Sequence, residues 1–153
     1  MIIRREQFEV FEPVAELAFI DEMVEQLLEE HADVEVELPE QMLSLEEIPE
    51  EMLRVMVLKG VNRARGYGIE EQSSIASFVS LMFVVAPNFD EHPLIRRILS
   101  DERHPSDSRI DLLWEQTSED NWEAAEEMYN PHAWQVNLPT ERPGDALAGR
   151  SEN

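Results

Sequence analysis

The chain has 153 residues and carries 34 acidic side chains against 12 Lys and Arg, a formal net charge of −22. This length bounds it to one domain, or one domain with tails, and a 42% hydrophobic content is enough for a real core and excludes wholesale disorder. The charge excludes nucleic acid and anionic membrane as ligands, because both are held largely by Lys and Arg neutralising phosphates; it favours a basic partner.

The first arm reads as helix. Phe8, Phe11, Leu17, Ile20, Val24, Leu27 and Leu28 recur at three- and four-residue steps, with Glu9, Glu16, Glu22, Glu25, Glu29 and Glu30 largely between them. Pro13 lies inside this stretch and either kinks the helix or opens a second one at its own first turn. His31-Ala32-Asp33 ends the run, and Val34-Glu35-Val36-Glu37-Leu38 then alternates with the period of a half-buried strand, closed by Pro39. A second helix is expected from near Pro49 through Met52, Leu53, Met56, Val57, Val61 and Ala64. Gly66-Tyr67-Gly68 stops it and offers a glycine for a left-handed C-terminal cap.

The third helix, from about Glu70 to Val85, is apolar on nearly all sides past Phe78, the pattern of a central buried element, and Pro87 stops it. Pro93 to Leu99 reads as a fourth helix and Pro105 to Glu115 as a fifth. A sixth, capped by Ser118, carries Asn121, Trp122, Ala125 and Met128. Trp134-Gln135-Val136-Asn137-Leu138 alternates again and can pair with Val34–Leu38 as a ribbon. Beyond Pro139, Pro, Gly, Ser and charges predominate, the composition of a disordered tail. The expected fold is therefore mainly all-α: a single-domain bundle of five or six helices over residues 1–138, with at most one short two-stranded ribbon and a tail at 139–153.

Charge is distributed unevenly along this plan. Residues 1–50 hold 16 acids and 2 bases, 51–100 hold 5 and 6, and 101–153 hold 13 and 4, so a nearly neutral core segment lies between two acidic arms. The run from Glu25 to Glu40, with Glu25, Glu29, Glu30, Asp33, Glu35 and Glu37, contains no base, and like charges at i,i+4 such as Glu25 and Glu29 destabilise a helix. A cationic partner would compensate that cost; a merely solvated helix face is the simpler reading of any charge run. Lys59 is the sole lysine, and Arg54, Arg63 and Arg65 on the second helix are placed to clamp acidic faces of the first through bidentate pairs.

Catalytic and metal-binding patterns are scarce. With no cysteine, disulfides, thiolate zinc sites and Cys nucleophiles are excluded, which fits a reducing cytoplasm. No Glu-x-x-His places two ligands on one helical face; only Asp101-Glu102-Arg103-His104 approaches it, in a proline-bounded loop where a surface Asp and His are the better reading. Neither metal nor cofactor is expected. Ser73 and Ser74 suit local capping of the third helix better than nucleophilic catalysis. No signal peptide is readable at the N-terminus, and the longest charge-poor run, Ser73 to Asn88, falls short of the roughly 20 residues needed to span a bilayer; a soluble cytoplasmic protein is expected.

Three segments carry a resemblance: Gly60-x-x-x-Ala64-Arg65-x-Tyr67-Gly68-Ile69, then Phe78-x-x-Leu81-Met82-Phe83, then Pro87-Asn88-Phe89-Asp90-x-x-Pro93. With Ile3-Arg4-x-Glu6-Gln7 and Ile98-Leu99-x-Asp101, they resemble a group of small, acidic, helical bacterial proteins. Those proteins are encoded beside type VI secretion spike (VgrG), PAAR and Rhs-type effector genes. The resemblance spans about residues 3–115; the chain departs from it at Ala86, where glycine is expected, and in the Trp-rich segment 114–138. It implies an immunity protein or an effector accessory. The expected function is thus a non-enzymatic cytoplasmic protein that neutralises a cognate toxin. Its partner-binding residues would be Glu25, Glu29, Glu30, Asp33, Glu35 and Glu37, with Trp114, Trp122 and Trp134 as anchors and residues 25–40 and 101–127 as the gripping surfaces. The alternatives are an adaptor or chaperone that loads a secreted effector, an acidic nucleic-acid mimic, and an enzyme built on clustered carboxylates.

Overall fold

A computed structural model describes the backbone of residues 2–134 and the side chains of residues 17–134. The elements are α1 (Ile2–His31), β1 (Glu35–Glu37), β2 (Met42–Ser44), α2 (Glu50–Gly66), α3 (Gln72–Val84), α4 (Pro93–Leu99), α5 (Arg109–Gln116) and α6 (Glu119–Glu127). They form a mainly-α single domain with one two-stranded antiparallel sheet. The helical backbone runs unbroken through Pro13, so the N-terminal arm is one helix rather than two.

The centre is the α2–α3 hairpin. Leu53, Met56, Val57, Gly60, Val61 and Ala64 recur on one face of α2, and Ile75, Phe78, Val79, Leu81, Met82 and Phe83 fill most of α3; all are buried. Alanine-sized or smaller residues at two positions of α2 let the backbones approach. A Cβ on Gly60 would lie 2.8 Å from Met82 Sδ and 3.0 Å from Val79 Cγ2, inside van der Waals contact. One stripe of α1, Phe19, Ile20, Met23, Val24 and Leu27, covers this hairpin, while the acids between point to solvent. Burying a side chain of this kind contributes about 1.5–3 kcal/mol, so the apolar stripe and not the charge holds α1 in place. Arg54 adds a surface clasp, its Nε 2.7 Å from Asp21 Oδ1 and its other end turned to Glu50.

The ribbon forms differently from the sequence-based pairing. β1 pairs with β2, which follows it directly, in the register Glu35 to Ser44, Val36 to Leu43 and Glu37 to Met42, and the turn at Pro39-Glu40 closes the hairpin. Adjacency explains the choice: a two-residue connection costs far less chain entropy than a closure over a hundred residues. Residues 135–138 and the tail at 139–153 lie outside the described residues. Trp134 ends a 3-10 turn (Pro131–Trp134), buried and packed on Phe83 with ring centroids 4.8 Å apart. The C-terminal segment still reaches β1, but through a side chain: Tyr129 Oη donates to Glu37 O and accepts from Glu37 N and Trp134 Nε1, each at 2.9 Å.

Gly60 and Gly66 sit in the same helix and separate close packing from backbone flexibility. Gly60→Val is expected to destabilise by about 2–3 kcal/mol, through overpacking against α3. Gly66→Ala, where a Cβ meets nothing within 4 Å, is expected to stabilise by up to about 1 kcal/mol by removing backbone freedom from the unfolded chain. Urea unfolding of the two variants checks both signs; a neutral Gly60→Val contradicts the close approach.

Candidate functional site

The six acids of the first arm are all exposed. Glu25, Glu29 and Glu30 lie on the last turns of α1, Asp33 in the connection, and Glu35 and Glu37 on β1 to either side of buried Val36. The local logic is plain in each case. Helical spacing turns the glutamates away from Val24 and Leu27, and strand alternation turns Glu35 and Glu37 away from Val36. The backbone under Glu37 is fixed by the Tyr129 hydroxyl, so this stretch is a supported surface rather than a loose one.

Four of the arginines, Arg54, Arg63, Arg103 and Arg109, have partners away from these six acids. Arg54 faces Asp21 and Glu50, and Arg103 holds Asp101 through Nε and Nη2, keeping that carboxyl well below the usual carboxylate range. Arg63 turns away from α1, against the sequence-based clamp. It donates to Pro87 O and sits 3.2 Å from buried Asp90, because α2 presents its C-terminal half to the segment after α3. Among the described residues, none of the six acids has an Arg or Lys within ion-pair distance. Glu30 alone meets a basic group, His31 at 3.9 Å.

Arg109 is the least expected of these. Only 7% exposed, it has no carboxylate partner among the described residues; Nη1 donates to Leu99 O at 2.8 Å and Tyr67 O at 3.2 Å, and Nε to His104 O at 3.1 Å. Leu99 closes α4 and Tyr67 caps α2, so the guanidinium lies against two helix C-termini, whose carbonyls carry partial negative charge. Two residues earlier, Asp107 Oδ1 accepts from Glu70 N and Glu71 N at the start of α3. Ser74 does not cap that helix as expected; it is buried and donates to Asp107 O. A cleft of about 380 Å³ opens beside this staple, lined by Tyr67, Ser100, Glu102 and Arg109 among others, and the arginine donors at its wall are turned to carbonyls.

The three tryptophans part company. Trp134 is 1% exposed and belongs to the core, so its ring is unavailable to a partner. Trp122 is half-buried against the core, and Trp114, 54% exposed, packs on it at a tilt of 37° with ring centroids 5.7 Å apart across the α5–α6 connection. Sequence spacing could not pair them, since the contact depends on the angle at Thr117-Ser118. Ser118 does cap α6 as expected, accepting from Asn121 N at 3.2 Å.

Among the described residues, no group of three or more His, Asp or Glu converges as a metal site, and no helix is long and apolar enough to cross a membrane. Comparison with protein-family models, with curated proteins and with solved structures finds no match.

Tyr67, whose hydroxyl donates to Asp90 Oδ2 at 2.8 Å, is pushed up to about 12 by burial and by the Asp90 charge, with Arg96 offsetting a part. Its folded-state value lies above the ordinary 10. The associated stability is therefore fully present below pH 10 and lost as pH rises toward about 12. Ultraviolet titration of the native chain should show delayed tyrosinate formation that moves to about pH 10 on unfolding in urea. Tyr67→Phe should remove one delayed step and flatten stability between pH 10 and 12; an unshifted native titration contradicts the buried Tyr67–Asp90 contact.

Proposed function

We propose that this protein is a non-enzymatic cytoplasmic binding protein that neutralises a cognate secreted toxin by covering a basic surface on it. The observation that carries the reading is the exposed, unneutralised run Glu25, Glu29, Glu30, Asp33, Glu35 and Glu37, set on a backbone braced by Tyr129. Acids left without cations lower stability by mutual repulsion, and a fold that has arginines but commits them elsewhere retains that repulsion in exchange for attraction to something positive. Such a surface speeds capture of a basic protein by tenfold or more at low salt. The resemblance to proteins encoded beside secreted effectors supplies the class of partner: an effector made by the same cell, against which its maker needs protection.

Co-expression with a candidate basic secreted effector tests the proposal. Rescue of growth together with co-purification supports it. Replacing Glu29, Glu30, Glu35 and Glu37 by Gln should slow association by about tenfold at low salt without lowering thermal stability. Absence of both rescue and co-purification overturns it. Secretion lost with toxicity unchanged would identify a loading adaptor instead.

A further inference from the structure

The second acidic arm differs from the first in carrying an aromatic surface. Trp122 is seated against the core, and Trp114 stands on it with just over half of its surface in solvent, so two indoles form a fixed platform. Large rings are costly to leave exposed, and among the described residues of the first arm the one aromatic side chain, Phe19, is buried. On α5, Asp111 and Glu115 lie three residues before and one after Trp114; on α6, Glu119 and Glu126 lie three before and four after Trp122. All four acids are exposed, and the two bases nearest in sequence are withdrawn, Arg103 to Asp101 and Arg109 to the interior.

An indole face attracts a cation through its quadrupole, and surrounding carboxylates raise the local concentration of cations while repelling acidic competitors. We infer that the Trp114–Trp122 pair is a stacking cradle for an arginine side chain on a basic segment of a protein partner. The planar guanidinium is the occupant that fits best: it stacks flat on an indole with its edge N–H groups still free to pair with a carboxylate such as Asp111, which shares the helix face of Trp114 at three-residue spacing, and an ammonium cannot do both at once. This deepens the toxin-neutralising reading and rests on its basic partner. It assigns the steering of approach to the first arm and the selection of arginine to the second.

The test uses the full chain with oligo-arginine and oligo-lysine peptides of equal length, read by tryptophan fluorescence and calorimetry at low salt. The expected result is tryptophan quenching and tighter binding of the arginine peptide. Trp114→Ala should weaken that peptide by about three- to thirtyfold and abolish the preference over lysine, while Trp114→Phe keeps part of both. Trp114 is exposed, so these variants should melt as the parent does. Equal loss of both peptides on Trp114→Ala, or no loss, overturns the cradle and leaves the basic-partner reading standing. Failure of the full chain to bind either peptide overturns the basic-partner reading itself. A concentration-dependent dimer that Trp114→Ala dissolves would show a second copy as the occupant and also overturn the cradle.

Discussion

The α2–α3 turn, α4 and the start of α5 are held together by two opposite charges, Asp107 and Arg109, two residues apart. Residues 67–71 join the C-terminus of α2 to the N-terminus of α3, so a negative and a positive helix end lie side by side. Arg109 lies on the first and Asp107 on the second, matched in sign to each. Arg109 also takes the last carbonyl of α4, which fixes α4 and the start of α5 against the hairpin. The turn itself demands glycine: Gly68 has φ +90°, and a Cβ there would meet Ser106 Oγ at 2.6 Å. Removing the guanidinium would leave three carbonyls without their donor, each at a cost of about 1–3 kcal/mol.

Helix positions were legible because they rest on periodicity and on local punctuation. Pro93, Ser118 and the Gly66–Gly68 turn mark boundaries that the structure keeps within a residue or two, and the mainly-α class follows from them. What could not be read depends on chain that is distant in sequence. Asp107 caps a helix that begins 35 residues earlier, Arg63 finds Asp90 instead of α1, and Arg109 bonds carbonyls, which carry no residue signature. The ribbon partner was missed for a related reason. Met42-Leu43-Ser44 lacks alternation strong enough to read as a strand, although nearness along the chain favours it.

The candidate site divides along the same line. That Glu25 to Glu37 would face solvent followed from their spacing against apolar neighbours, and they do. Which tryptophans would be accessible did not follow: Trp114 comes directly after Leu112-Leu113 yet is 54% exposed, whereas Trp134 lies in a more polar stretch yet is buried. Only the docking of the 3-10 turn on Phe83 sends Trp134 inward. The basic side chains are the link between fold and function. Arg109 lies on helix ends, Arg63 on Asp90, Arg54 on Asp21 and Glu50, and Arg103 on Asp101, and that placement leaves the run from Glu25 to Glu37 without an Arg or Lys partner among the described residues.

Salt dependence of stability tests that link most directly. If repulsion among the exterior acids outweighs the surface pairs of Arg54 and Arg103, raising NaCl from about 10 mM to about 500 mM shortens the Debye length from roughly 30 Å to under 10 Å and should raise the urea midpoint. A midpoint that falls with salt would mean that the acids are held in favourable surface pairs, and would contradict the account.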